Sequence, residues 1–239
     1  MRLLLANPNS TEAITAACAA LARAAASPGT EVVPWTNRRG PPVVDSLYGD
    51  YAAGSALARG LLDVRPVPDA VVLAGFGNYG TGAVKEVFDV PVLGMAEAAM
   101  AVALPLCHRF AIITTAPRMV PYTEDLVLQV GLAARCAGVR AVTLPPLGTE
   151  SPATDEAVVV ELAAQARHAR DGLGADLVIL GGARLSPHVA ALRRRTAVPV
   201  LEPVACAVQL AEALVRLGLR QSKVGKYAPP PQPLERYGS

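Results

Sequence analysis

Residues 71–77 read Val-Val-Leu-Ala-Gly-Phe-Gly and residues 177–183 read Leu-Val-Ile-Leu-Gly-Gly-Ala, and each stretch is followed, after a helix-length interval, by Val-Pro-Val-Leu. Each stretch has the pattern of a buried parallel strand that ends in a glycine-rich loop. Gly75 and Gly182 are 107 positions apart, and the prolines of the two Val-Pro-Val-Leu segments are 108 positions apart. These near-equal offsets indicate an internal duplication.

Strand patterns alternate with helix patterns along the chain, and the alternation occurs twice. In the second half, the pattern predicts a helix over 120–137, a strand over 141–144 and a later helix over 188–196. Such alternation is typical of an α/β fold. We therefore predict two pseudo-symmetric Rossmann-like or flavodoxin-like halves, each a mostly parallel sheet flanked by helices, with an active-site cleft between equivalent strand ends.

Composition and charge exclude several classes of protein. Hydrophobic residues make up 52% of the 239 residues, and 22 basic against 20 acidic residues give a net charge of +2. No clustered basic surface of the kind that binds nucleic acid is visible. The longest apolar stretches, such as 96–107, are too short to span a membrane, and the apolar run at the N-terminus is too short for a signal peptide. We expect a cytoplasmic protein that binds neither nucleic acid nor membrane.

The cysteines do not indicate a metal site or a disulfide framework. Cys18, Cys107, Cys136 and Cys206 are scattered without Cys-x-x-Cys spacing. The first three fall in or at the ends of predicted helices, where small apolar core residues are common. The sequence contains no phosphate-binding loop, metal-ligand cluster or dinucleotide fingerprint. We therefore predict no cofactor.

Four further segments resemble the aspartate/glutamate and hydantoin racemase family, and most closely its hydantoin racemases. They are Asn-Pro-Asn-Ser at 7–10, Gly-Met-Ala-Glu-Ala-Ala-Met at 94–100, Ile-Ile-Thr-Thr at 112–115, and Ser-Lys-Val-Gly-Lys-Tyr-Ala-Pro-Pro at 222–230. In that family the last helix returns to the first domain. The resemblance therefore implies a first domain of residues 1–95 with 205–239 and a second of residues 96–204. We also expect a homo-oligomer and a small-molecule substrate, either a carboxylate or a cyclic amide.

The resemblance departs from the family at two decisive positions. Each half of a family racemase supplies one cysteine at a strand end, and the two thiols face each other across the α-carbon of the substrate. The corresponding positions here are Gly75 and Gly182. We predict that their Cα atoms face each other at about 10 Å, roughly two strand spacings. The two-thiol mechanism is then absent, and the glycines are expected to widen the pocket for a bulkier substrate.

Substrate-binding residues are predicted at the ends of the first and third strands. Asn9 and Ser10 precede the first helix, where amide and hydroxyl groups hold a carboxylate well. An ordinary N-cap turn without a ligand is the alternative. Phe76, Gly77 and Asn78 follow the third strand, where glycines let backbone amides approach an anion.

Equivalent residues are predicted in the second half. Thr114 and Thr115 end the strand that mirrors the first one, and Arg118 follows with the spacing that the family shows. Arginine there can grip a carboxylate bidentately, although it can equally be solvated. Ala183 belongs to the glycine-rich loop that mirrors 76–78.

Other groups must transfer protons if the thiols are lost. The candidates are Glu97 and Glu202, near equivalent positions of the two halves, and His188, which follows the second glycine-rich loop. Both glutamates are as readily explained as helix caps, and His188 as a capping residue. Cys206 opens a helix, where a thiolate can be stabilised, but core packing is the favoured interpretation. Tyr79 is a further candidate.

Three functions are compatible with these residues. The first is a thiol-independent isomerisation of an amino-acid or hydantoin derivative. The second is a lyase, decarboxylase or cyclisation reaction in which backbone amides stabilise an enolate-like anion. The third is a pseudoenzyme that binds its ligand without converting it.

Overall fold

The computed structural model describes residues 1–237 of the chain, except for the side chain of Glu235. The first half contains β1 (Arg2–Asn7), α1 (Glu12–Ala25), β2 (Glu31–Thr36), α2 (Leu47–Leu61), β3 (Ala70–Leu73), α3 (Thr81–Val87), β4 (Val92–Gly94) and α4 (Met95–Ala103). The second half contains β5 (Phe110–Thr114), α5 (Met119–Val130), β6 (Cys136–Ala141), α6 (Pro152–Leu173), β7 (Leu177–Gly181), α7 (Val189–Arg193), β8 (Val200–Leu201) and α8 (Pro203–Arg216). Short 3₁₀ segments lie at Ala133–Arg135, Ala183–His188 and Leu234–Tyr237.

The strands form two four-stranded parallel sheets of equivalent topology. The orders are β2-β1-β3-β4 and β6-β5-β7-β8, so the first strand of each half lies between the second and the third. Every neighbouring pair is parallel. The α/β fold class with two similar halves is therefore confirmed.

The chain divides into two compact units. The first comprises Met1–Ala74, Asn78–Gly94 and Val208–Ser239, of which the structure describes residues up to 237, and the second comprises Gly75–Gly77 and Met95–Ala207. Three residues that follow β3 thus group with the second unit. The domain boundaries that the resemblance implies, after residues 95 and 204, stay a prediction.

Each sheet is covered by helices, as its strand sequences require. All residues of β3, β5 and β7 are buried, because both faces of these parallel strands pack against helices. In the second unit, Leu162 and Ala166 of α6 pack on Val178 and Leu180 of β7. Small residues such as alanine permit this close approach of helix and sheet. Within the described residues, no helix has the length and apolar character of a membrane span.

The helix predicted over 120–137 is shorter in the structure, and the strand predicted over 141–144 begins earlier. The helix ends at Val130, because Gly131 has a φ of 80° and the amides of Gly131 and Leu132 bond back to the last turn. The strand begins at Cys136, five residues earlier than predicted. A register shift opposite Phe110 and Ala111, with Gly138 at a φ of 155°, marks a bulge. Cys136 is thus the first residue of a strand and not part of a helix.

The predicted helix over 188–196 is also shorter than expected. Residues Ala183–His188 form a 3₁₀ segment, and the α-helix covers only Val189–Arg193. Pro187 explains the break, because proline lacks the amide hydrogen that an α-helix would use.

The C-terminal tail returns along the first unit. The side-chain amide of Gln221 accepts from the amide nitrogen of Val92 at 3.0 Å and donates to the carbonyl of Val92 at 2.9 Å. Lys223 Nζ donates to the carbonyls of Lys85, Glu86 and Phe88 at 2.6 to 2.9 Å, at the end of α3. These bonds fix the tail to β4 and α3.

Candidate functional site

The strand order of each sheet identifies where a ligand can enter. In both sheets the chain turns in opposite directions after the first and third strands, which leaves a crevice at their carboxyl ends. The loops at these ends are 8–11 and 74–80 in the first sheet, and 115–118 and 182–188 in the second. The predicted residues of the first and third strand ends therefore lie where open α/β sheets bind ligands.

The loop after β1 is organised by Asn7, which the sequence analysis assigned no separate role. Asn7 is fully buried, and its Nδ2 donates to Asn9 Oδ1, the carbonyl of Thr11 and Thr15 Oγ1. Its Oδ1 accepts from the amide of Asn9. Asn9 Oδ1 also accepts from the amide of Thr11. Because its oxygen is occupied, Asn9 has only its amide nitrogen left to offer a ligand.

Asn37 holds this loop from the other side and was missed by the sequence analysis. Its buried Nδ2 donates to the carbonyls of Pro8 and Ala53 at 2.9 and 3.2 Å. A Cβ at Gly40 would lie 2.6 Å from the carbonyl oxygen of Pro8, so only glycine fits there. The amide of Ser10 donates to the carbonyl of Pro41. The loop that carries Asn9 and Ser10 is therefore fixed before any ligand binds.

The loop after β3 combines buried and exposed positions. Phe76 and Gly77 are buried, and Asn78 is exposed. Gly80 has a φ of 74°, and a Cβ there would lie 2.7 Å from the carbonyl oxygen of Gly54 in α2. Backbone contact between these glycines fixes the end of the loop against α2.

Tyr79 and Thr81 place two buried hydroxyl groups beside this loop. Burial raises the pKa of Tyr79 far above its ordinary value, and Asp50 and Asp45 add to the effect. The phenol is therefore protonated at every physiological pH. Thr81 Oγ1 is buried without a hydrogen-bond partner among the described residues.

In the second sheet, β5 and β7 meet closely at the predicted site. Thr114 Oγ1 donates to the carbonyl of Gly181 at 3.2 Å. A Cβ at Gly181 would lie 2.7 Å from Ile112 Cγ2 and 3.3 Å from Phe76 Cε1. Glycine at 181 is thus required by packing, and Phe76, which groups with the second unit, lies beside it.

The γ-methyl group of Thr115 occupies the space beside Gly182. A Cβ at Gly182 would lie 2.5 Å from Thr115 Cγ2, far inside van der Waals contact. The backbone is extended there, so no conformational strain demands glycine. Thr115 Cγ2 therefore occupies part of the space that a β-carbon at position 182 would need, and the expected widening of the pocket stays a prediction.

Arg118 and Ala183 occupy different surroundings. Arg118 is exposed at the start of α5, and its guanidinium makes no hydrogen bond within residues 1–237. Ala183 is half-buried and begins the 3₁₀ segment. Arg184, the next residue, donates from Nη2 to the carbonyl of Pro145 at 2.7 Å and to Glu150 Oε1 at 3.2 Å.

Glu202 caps helix α8. Its Oε1 accepts from Ser186 Oγ at 2.6 Å and from the amide of Val204, and its Oε2 accepts from the amide of Ala205 at 2.7 Å. These are the bonds of a carboxylate at a helix N-terminus, as the alternative interpretation held. Glu97 lies half-buried in the first turn of α4.

Cys206 is unsuited to act as a thiolate. Burial, with a smaller contribution from Glu202, raises the pKa of Cys206 to about 11. The thiol is therefore protonated at neutral pH, and the helix N-terminus does not activate it.

His188 has the electrostatics of a neutral base. It is half-buried at the end of the 3₁₀ segment, and its Nε2 lies 4.0 Å from Asp155 Oδ1. Burial lowers the pKa of His188; Asp155 opposes this, and Arg184 adds to it. The imidazole is therefore neutral at pH 7 and able to accept a proton. Among the described residues, no group of three or more histidine, cysteine or acidic side chains is placed to hold a metal ion.

Comparison with known proteins gives one consistent result. Residues 3–211 match the family model described as Asp/Glu/Hydantoin racemase. The hydantoin racemase of Paenarthrobacter aurescens is 35% identical over 233 residues, which cover 96% of this chain and 98% of that protein. The hydantoin racemase of Rhizobium meliloti is 37% identical over 235 residues, which cover 96% and 95% respectively.

Comparison with solved structures gives the same family. A crystal structure of allantoin racemase from Pseudomonas fluorescens superposes with a TM-score of 0.91 at 39% identity, and the match covers 98% of each chain. The similarity therefore spans both halves of the chain.

Proposed function

Because the chain belongs to the Asp/Glu/hydantoin racemase family, we propose that it isomerises a small carboxylate or cyclic amide, an amino-acid or hydantoin derivative, without using thiols. The relatives at 35% and 39% identity are hydantoin and allantoin racemases, which supports a ring or open-chain ureido compound as the substrate. Thr115 supports the loss of the thiol mechanism.

The position of Thr115 is the observation that carries this proposal. A Cβ at residue 182 would lie 2.5 Å from Thr115 Cγ2, so a thiol at this strand end requires Thr115 to move. None of the four cysteines takes the place of a missing strand-end thiol. Cys18 lies in α1, Cys107 between α4 and β5, Cys136 at the start of β6 and Cys206 in α8, so none follows β3 or β7.

His188 is the proposed base. It follows Gly182 by six residues, and its pKa is lowered, so the neutral imidazole can take the proton from the α-carbon of the substrate. The C–H electron pair then moves into the adjacent carbonyl, and the resulting enolate is held by backbone amides of the strand-end loops. Water on the opposite face then supplies a proton to the planar enolate, and the imidazolium of His188 releases its proton to solvent, which completes the isomerisation.

Hydrogen exchange tests this function directly. The protein is incubated in D₂O with 5-substituted hydantoins, allantoin and N-carbamoyl amino acids, and deuterium at the α-carbon is followed by NMR. We expect exchange with at least one of these compounds. His188→Gln should reduce the exchange by about 10²-fold or more, whereas His168→Gln, at an exposed position of α6, should not.

Other outcomes identify the alternatives. Release of CO₂ from a substituted malonate without exchange at chiral substrates would indicate a lyase. Binding without exchange or CO₂ release would indicate a pseudoenzyme and would refute the proposal.

A further inference from the structure

Arg184 lies directly beside the second strand end. It follows Gly182 by two residues, within the 3₁₀ segment, and its side chain is 21% exposed. The guanidinium bonds Pro145 and Glu150, which belong to the loop between β6 and α6. In the sheet, β5 separates β7 from β6. A side chain that starts after β7 and reaches the loop after β6 therefore extends past the carboxyl end of β5, where Thr115 lies.

Only one nitrogen of this guanidinium is occupied. Both bonds of Arg184 use Nη2, and within the described part of the chain Nε and Nη1 have no hydrogen-bond partner. Two other partly buried arginines use more of their donors. Arg135 donates from Nε and Nη2 to three backbone carbonyls, and Arg193 donates from Nε and Nη2 to the carbonyl of Val200. Arg184 thus keeps most of a guanidinium fork unused, although a fork suits a carboxylate well.

Glu150 orients the fork without using all of it. Its Oε2 accepts from the amide of Gly148 at 2.7 Å, and its Oε1 accepts from Arg184. Its own amide, that of Gly148 and Arg184 lower the pKa of Glu150, so the carboxylate is ionised at neutral pH. The guanidinium is therefore held in one direction while its remaining donors stay available.

We propose that Arg184 binds a carboxylate of the ligand, so that the substrate is an anionic acid rather than an uncharged ring. This inference rests on the proposed function and narrows its substrate class. Hydantoins and ureido compounds with a carboxylate on the substituent satisfy it. Arg184 is then a specificity-determining residue that distinguishes the acid from a neutral analogue of similar size.

A matched pair of ligands tests the inference by isothermal titration calorimetry. The pair is hydantoin-5-acetate, which is anionic, and 5-ethylhydantoin, which is neutral. The unaltered protein should bind the acid more tightly. Arg184→Gln should weaken binding of the acid by about 10- to 100-fold, the range for a charged hydrogen-bonded pair, and leave the neutral ligand within about twofold. Arg195→Gln, which removes an arginine paired with exposed Glu156, should change neither affinity.

A second variant tests the inference even if Arg184→Gln does not fold. Glu150→Gln removes the negative charge that competes with the ligand, so binding of the acid should become a few-fold tighter, with the neutral ligand unchanged. If Arg184 only fastened the loop, neither variant would alter the preference for the acid, and the inference would be overturned.

The results distinguish the role of Arg184 from the proposed isomerisation. Equal affinity of the unaltered protein for both ligands, or a preference for the neutral one, overturns the role of Arg184 and leaves isomerisation in place. Failure to bind either hydantoin overturns the role of Arg184 as stated. Failure of α-carbon exchange, with the acid still bound through Arg184, overturns the isomerase alone.

Discussion

Introducing cysteines at positions 75 and 182 should create a two-thiol racemase, but only if Thr115 is also changed. A Cβ at residue 182 would lie 2.5 Å from Thr115 Cγ2, about 1 Å closer than two carbon atoms at contact. Such overpacking costs about 1 to 3 kcal/mol. For a chain of this size, the melting temperature of Gly182→Cys should fall by about 2 to 12 °C.

The companion substitution Thr115→Ser deletes the methyl group in question and keeps the hydroxyl. By itself it should cost less than about 1 kcal/mol, because Thr115 is only half-buried. In combination with Gly182→Cys it should recover most of the lost stability, which gives a non-additive coupling of about 1 to 3 kcal/mol in a double-mutant cycle. Thermal denaturation of the four variants measures this coupling.

Activity is then compared in D₂O. The triple variant Gly75→Cys, Gly182→Cys, Thr115→Ser should exchange the α-hydrogen of a small chiral hydantoin or acid and racemise it, whereas the unaltered protein should be near background with simple hydantoins, aspartate and glutamate. Variants with one cysteine should gain less, since the two-thiol mechanism uses one thiol on each face of the α-carbon. Additive stabilities would show that Thr115 does not fill the space, and a folded triple variant without exchange would show that the site lies elsewhere.

Three further outcomes follow from titration and burial. The rate of hydrogen exchange by the unaltered protein should fall in acid with an apparent pKa below 6.5, the ordinary value for histidine. The reason is that burial lowers the pKa of His188, so the imidazole stays neutral down to that lower pH. A rate profile with its midpoint near pH 8 would contradict this assignment. Glu212→Gln should lower the free energy of unfolding by about 1 to 3 kcal/mol at pH 7, because the buried carboxylate accepts from Ser27 and Thr30. Since the pKa of Glu212 is lowered in the fold, this difference should be present above pH 4.5 and vanish as the pH falls through the lowered pKa, as chemical denaturation at several pH values will show. Lys223→Met should cost about 1.5 to 3 kcal/mol, because three carbonyls at the end of α3 lose a charged donor, whereas Lys226→Met at an exposed position should cost little.

The repeated strand and glycine patterns were sufficient to predict the two parallel sheets. Hydrophobic runs such as 71–74 and 177–180 are buried on both faces, because a parallel strand between two layers of helices needs apolar residues at every position. The boundaries near Gly131 were missed because the apolar pattern continues through 132–137, and only the positive φ of Gly131 ends the helix. Local pattern therefore identified the elements but not where each one stops.

The site was predictable only in part, because its decisive contacts join residues far apart in the sequence. The overlap of Gly182 with Thr115 and the bond from Arg184 to Pro145 depend on tertiary packing that no motif records. The capping role of Glu202 was visible, since an acid directly before a helix has an electrostatic reason to be there. Asn37 carried a weaker signal, a polar residue directly after β2.

The side-chain amide of Gln221 completes the sheet of the first unit. Strand β4 is the last in the order, so its outward amide and carbonyl groups would otherwise present a template for another strand. Gln221 pairs with the amide and the carbonyl of Val92, as the backbone of a neighbouring strand would do. While the tail is in place, a strand of another copy consequently cannot pair with β4 at Val92, and the remaining edge of this sheet is β2.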